Sequence, residues 1–181
     1  MRIIAGNLRG RRISPPSNLP VRPTTDMARE SLFNILGNYV DYNECNVLDL
    51  FAGTGAVSLE FVSRGAREVV SVDINARCTD FIKQCSQQLG IDNMHVVRAD
   101  VFDLMKRLNR SFDIVFADPP YALESLPTLP DIVFSANALS EDGIFILEHP
   151  RDYSFEEHPH FWQHRVYGKV NFTFFANKIE Q

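Results

Sequence analysis

Four aspartates close apolar runs in this chain. Asp49 lies in "VLDLFAGTG", just before a glycine turn at Gly53 and Gly55. "VVSVD" ends in Asp73, "VVRAD" in Asp100 and "DIVFAD" in Asp118. One Asp after a strand is commonly a helix N-cap, and Asp100 taken alone reads that way. Four in succession, one beside a glycine turn, instead describe a row of carboxylates along one rim. Behind the last come two prolines and a tyrosine, "DPPY" (118–121). Proline donates no ladder hydrogen bond and disfavours helix at the residue before it. This stretch therefore stops a strand and sets a short rigid loop. Taken alone it is a stiff turn; on the same rim as a ligand-type glycine turn it is a place to hold something.

Gly53 and Gly55 let a ligand approach the backbone, and the helix that follows offers free N–H groups. A dinucleotide would need a third small residue, here Ser58, and would set its pyrophosphate against Asp49, which repels it. A nucleoside with a cationic amino-acid tail fits better. Asp49 then lies near the amine, Asp73 on the ribose hydroxyls and Asp100 near the adenine amino group. S-adenosyl-L-methionine is such a ligand.

These residues need a frame. "RIIA" and "RIS", on either side of "GNLRGR", predict a hairpin with a glycine-bearing turn. "SPPSNLPVRP" reads as an extended connector. Thr24, Thr25 or Asp26 can cap a helix with Ala28, Leu32, Ile35, Leu36 and Tyr39 at helical spacing. From residue 46 strands and helices alternate. Strands are expected at 46–51, 67–73, 94–100, 112–118 and 143–149, with helices up to Gly65, over 75–90 and after Asp100. A further helical stretch within 122–139 is interrupted by Pro127 and Pro130. Two strands around Tyr167–Gly168 close the chain. The fold class is α/β: a doubly wound, mostly parallel seven-stranded sheet, Rossmann-like, with an antiparallel edge and an N-terminal β-hairpin extension. Residues 1–23 form the arm and connector, and 24–181 the main domain. Ligands of such sheets bind at the carboxyl ends of the strands.

At 181 residues, with 45% hydrophobic and 23% charged content, the chain fits one globular domain. It holds no apolar run long enough to span a membrane. "MRIIAGNLRGRR" has no apolar region of signal-peptide length, so a cytoplasmic monomer is expected. Cys45, Cys78 and Cys85 have no zinc or disulfide spacing. His158, His160 and His164 lack a carboxylate or Cys partner at ligand spacing, so no metal is expected. Net charge is −5, which argues against nucleic acid. Residues 1–30, however, hold Arg2, Arg9, Arg11, Arg12, Arg22 and Arg29 against only Asp26 and Glu30. A basic arm on an acidic body suits docking on structured RNA, its arginines contacting phosphates without reading sequence.

"LDLFAGTG", "VVSVD" and "RAD" resemble the cofactor motifs of class I S-adenosylmethionine-dependent methyltransferases. "DPPY" resembles the motif of those that methylate exocyclic amines of bases. Taken in order with "MRIIAGNLRGRRISPP", "RPTTDMARESLFNIL" and the late "YG", these stretches resemble the bacterial 16S ribosomal RNA guanine-N2 methyltransferases, over nearly the whole chain. One departure is Met27, where the family pattern suggests a basic residue. The resemblance implies cofactor binding by Asp49, Phe51, Gly53, Gly55, Asp73, Ile74, Asp100 and Val101. It implies catalysis by Asp118, Pro119, Pro120 and Tyr121, and ribosomal RNA or a small-subunit assembly particle as partner.

The chemistry agrees. A guanine N2 is aniline-like and a poor nucleophile. Hydrogen bonds to Asp118 and the Pro119 carbonyl would localise its lone pair, while the prolines preset the loop and Tyr121 stacks on the base. Adenine N6 or cytosine N4 would suit "DPPY" equally, so the motif leaves the base open. A non-catalytic RNA-binding assembly factor and a NAD-dependent dehydrogenase are the rival readings.

Overall fold

Strands β1 (Asn46–Leu50), β2 (Glu68–Asp73), β3 (Met94–Arg98), β4 (Phe112–Ala117) and β5 (Leu139–His149) run parallel in one sheet. β6 (Phe161–Tyr167) and β7 (Val170–Ala176) complete it, with β7 antiparallel to both β5 and β6. The order is β3-β2-β1-β4-β5-β7-β6, so strand order reverses between β1 and β4. The coordinates are a computed structural model that describes residues 1–21 and 25–178.

Helices α1 (Asp26–Leu36), α2 (Ala56–Ser63), α3 (Ala76–Leu89), α4 (Val101–Arg107) and α5 (Leu129–Ser135) cover both faces. Apolar strands buried on two sides need such cover, and the structure has two cores. One joins Val47, Val69, Ile114, Phe116, Ile144 and Ile146 to α1, α2, Ile82 of α3, and Ile3 and Ile13 of the arm. The other joins Leu48, Leu50, Val115, Ala117 and Leu147 to α4 and α5. Among the described residues no helix is long and apolar enough to cross a membrane.

Several expected boundaries move, each for a local reason. α1 stops at Leu36, and Tyr39, placed on its apolar stripe by spacing, lies in the turn beyond and meets Trp162 edge-on. β5 starts at Leu139 rather than 143, because a register shift opposite Phe112–Ile114 lets the strand bend and continue. β6, for which no bounds were expected, begins at Phe161 and has a register shift between Phe161 and Gln163. The stretch with Pro127 and Pro130 divides into a 3-10 turn (Leu126–Thr128) and α5, whose first turn holds Pro130 where a missing N–H costs nothing.

The hairpin pairs through a single bridge, Arg2 with Arg12, backed by hydrogen bonds between Met1 and Ile13 and between Ile3 and Gly10. Its anchorage lies elsewhere. The fully buried Glu60 carboxylate of α2 accepts the backbone N–H groups of Ile4 at 2.8 Å and Ala5 at 3.0 Å. Asn7 N–H donates to the Ser63 carbonyl, and Leu8 N–H to Ser63 Oγ. The arm thereby satisfies the end of α2, where helical carbonyls lack partners. Gly6 makes the approach possible: a Cβ there would sit 1.7 Å from the Ser63 oxygen. The arm is continuous with the main core. The three cysteines are buried free thiols, and His160 stacks on Phe134 at 3.8 Å.

Candidate active site

The switch between β1 and β4 brings the glycine turn and the "DPPY" loop together. Asp49 sits inside β1, 1% exposed, and accepts a 2.5 Å hydrogen bond from Ser58 Oγ of α2. Ser71 Oγ of β2 donates in turn to Ser58 Oγ at 2.5 Å. Burial pushes the Asp49 carboxyl up to about 7; the Ser58 hydrogen bond opposes this and the nearby Asp73 carboxylate adds to it. Asp49 is thus a carboxyl poised near neutrality, which an approaching cation would ionise. Ser58 entered the sequence reading only as a small residue in a glycine pattern. Its role depends on β2 lying beside β1, which no spacing reveals.

Asp73 at the end of β2 is held by both oxygens. Oδ2 accepts Gly53 N–H and Oδ1 accepts Asn75 N–H, each at 2.8 Å. The carboxylate is therefore set in orientation against the glycine turn. Beside it Ile74 is 61% exposed, an apolar side chain left at the rim. Gly55 caps α2 with φ +74, and a Cβ there would meet Ile82 Cγ1 at 2.9 Å, so the turn requires glycine. Phe51 holds φ 60, a strained conformation for a side chain of its size. These features suit a nucleoside with a charged tail: a preset carboxylate, an open apolar surface and backbone without side chains.

The other two expected cofactor residues stand together at the start of α4. Asp100 is the N-cap of α4, its Oδ1 accepting from Phe102 and Asp103 N–H. Val101 is buried among the core residues of the opposite sheet face, and its backbone stands at the start of α4.

Asp118 follows β4 and lines two clefts. One is a narrow cleft shared with Asp49, Gly53, Thr54 and Phe116. The other is a cavity of about 400 Å³ shared with Pro119, Pro120, Tyr121 and Glu148. Val21 of the proline connector lines both. Tyr121 O–H donates to Glu148 Oε1 at 3.3 Å, which orients the ring. Glu148 was missed in the sequence, where "GIFILEH" reads only as a buried strand. The signal was present: a carboxylate at the carboxyl end of a strand, like the four aspartates.

The arginines separate into two groups. Arg2, Arg9, Arg11 and Arg12 are exposed on the arm. Arg29 is not available to RNA, contrary to expectation. Its side chain is 1% exposed, donates to the Arg2 carbonyl and to Asp26 Oδ1, and lies 3.8 Å from Glu60. It sits on the inward face of α1, where the buried Glu60 offers compensation that a helical repeat cannot show. Arg22 lies outside the described residues.

The family described as conserved hypothetical protein 95 matches residues 1–176. Ribosomal RNA small subunit methyltransferase D of Buchnera aphidicola subsp. Baizongia pistaciae is 33% identical over 148 residues, covering 82% of this chain and 75% of that one. Its namesake from Escherichia coli is 27% identical over 183 residues, covering 99% and 91%. Among solved structures, a putative methyltransferase, yhhF, from Escherichia coli superposes with a TM-score of 0.85 at 27% identity, over 99% of both chains.

Proposed function

The chain belongs to the conserved hypothetical protein 95 family, a family of ribosomal RNA methyltransferases, and from that premise we propose that it methylates the N2 amine of a guanine in small-subunit ribosomal RNA, using S-adenosyl-L-methionine. The observation that carries this reading is the position of Asp118. One carboxylate borders both the glycine-turn cleft and the "DPPY" cavity. A group that holds an amine there holds it where the two clefts meet.

The cofactor supplies an electrophilic methyl group on a sulfonium. Asp49 would face its ammonium group, Asp73 its ribose, and Ile74 and the start of α4 its base. Asp118 and the Pro119 carbonyl would accept the two N–H bonds of the guanine amine, turning its lone pair out of the ring. Pro119 and Pro120 keep that geometry from relaxing. Tyr121, tied to Glu148, gives the flipped base a stacking surface. Once methylated, the nitrogen is acidic and sheds its proton to Asp118. Positioning and electrostatics carry the reaction. Arg2, Arg9, Arg11, Arg12 and Arg22 would contact phosphates of the RNA or of a small-subunit assembly particle. The protein would do so as a cytoplasmic monomer.

Tritium transfer from labelled S-adenosylmethionine to small subunits lacking the mark tests this directly. We expect counts in rRNA that digest to N2-methylguanosine and that disappear with Asp118→Ala. Counts in N6-methyladenosine would reject the base assignment, and no counts above the Asp118→Ala control would reject the activity.

A further inference from the structure

We infer that the groove between the proline connector and α3 holds an unpaired nucleotide of the substrate RNA, its base stacked on Phe81 and its phosphate on Arg12. This rests on the proposed action on ribosomal RNA and names a second place where that RNA is held, apart from the target base. The groove encloses about 380 Å³. Arg12, Ser14 and Pro16 form one wall, and Phe81, Gln84 and Gln88 of α3 the other. None of the residues lining it is acidic, on a chain whose net charge is −5. An anion is the ligand that such a groove favours.

The α3 wall is one stripe. Arg77, Phe81, Gln84 and Gln88 recur at helical spacing, so they lie one above another on the flank of α3. Phe81 is half-buried: one side packs on the main core, and the rest of the ring faces the groove. Only a base that has left its own helix can reach an aromatic face of this kind, which is why the ligand is unpaired. Gln84 and Gln88 are exposed, and each amide brings donors and an acceptor to a base edge. Arg77 stands one turn above Phe81, nearer the carboxyl ends of the strands. Among the described residues neither Arg12 nor Arg77 forms an ion pair, whereas Arg64, Arg67 and Arg110 each hold a glutamate. The connector joins this groove to the active site. From Pro16 to Val21 it spans at most about 18 Å, and two turns shorten it. Val21 lines both clefts that Asp118 borders. A strand whose target base enters the "DPPY" cavity therefore passes the groove within a few nucleotides.

Filter binding of the full chain to unmodified small-subunit rRNA, naked and in assembled subunits, tests this across a salt series. Cofactor calorimetry and a thermal melt accompany it. Phe81→Ala should weaken RNA binding roughly tenfold and keep the wild-type salt slope, because a stack releases no counterions. Phe81→Trp should bind as wild type. With the single native tryptophan removed by Trp162→Phe, its fluorescence should be quenched by RNA. Gln84→Ala with Gln88→Ala leaves the core untouched, so it decides the matter even where Phe81→Ala lowers Tm. It should weaken RNA binding about fivefold with cofactor affinity unchanged. Wild-type RNA affinity in the glutamine pair, with no quenching in Phe81→Trp, overturns this inference alone. A wild-type protein that neither binds nor methylates small-subunit rRNA in either form overturns the proposed activity, and this inference with it.

Discussion

Cofactor affinity should fall steeply with acidity, and Asp49→Asn should abolish that dependence. Asp49 is buried against Ser58 with its carboxyl pushed up to about 7 from an ordinary 3.8, burial being the main cause. Facing an ammonium group it must be ionised, so binding below pH 7 has to expel a proton. The observed affinity then follows the ionised fraction of the free protein, about 0.8 at pH 7.5 and about 0.03 at pH 5.5. That is a loss of roughly 25-fold, about 2 kcal/mol. The window stops near pH 7.5 because an α-amino group loses its own proton at about 7.7–8.0. Calorimetry of S-adenosylmethionine binding in two buffers of different ionisation enthalpy would read the proton directly, about three quarters of one released per ligand at pH 6.5. The same carboxyl affects stability with the opposite preference. Its folded value lies above its unfolded one, so its contribution is fully present below about pH 4 and is lost as pH rises through about 7. The loss is on the order of 4 kcal/mol at most. Asp49→Asn should therefore bind cofactor more weakly, without pH dependence, while melting higher than wild type at pH 8. Affinity that stays flat from pH 5.5 to 7.5, with no proton released, would refute the placement of Asp49 at the amine.

Two further outcomes test the arm. Glu60→Ala removes the acceptor of Ile4 and Ala5 N–H and takes away a partner of buried Arg29. It should cost about 3–5 kcal/mol and lower Tm by roughly 6–20 °C, with trypsin cutting at Arg9 to Arg12; a wild-type melt and a protected arm would show that the carboxylate does not hold it. Arg11→Glu with Arg12→Glu should weaken RNA binding and flatten its salt dependence while leaving cofactor affinity intact, and unchanged RNA affinity in a filter-binding titration would remove the arm from the interface.

What could be read in advance was whatever local rules govern. Alternating apolar strands and helices marked a doubly wound sheet, because a strand buried on both faces leaves a continuous apolar run. The start of β5 was misplaced because a bulge is settled by the partner strand, as at Phe112–Ile114. The glycine turn, Asp73 and "DPPY" were visible because in each an acid ends or closes an apolar run, twice directly before a glycine or proline stretch that the backbone requires.

The sequence by itself thus determined the layers of the fold, the rim that carries the chemistry and the kinds of group along it. Tertiary structure decided which way each group faces and what it meets. Arg29 looked like one more basic residue of the arm, yet α1 turns it inward to Glu60, because a buried charge needs a partner and the nearest lies on α2. Asp100 could be read either as an N-cap or as one more rim acid, and the structure shows that it caps α4 through Oδ1. Glu148 looked like the end of a buried strand, yet it lines the cavity that Asp118 and Tyr121 also line. A residue's type follows from the gene, but its partner follows from strand order and register, and these are set by the whole core at once.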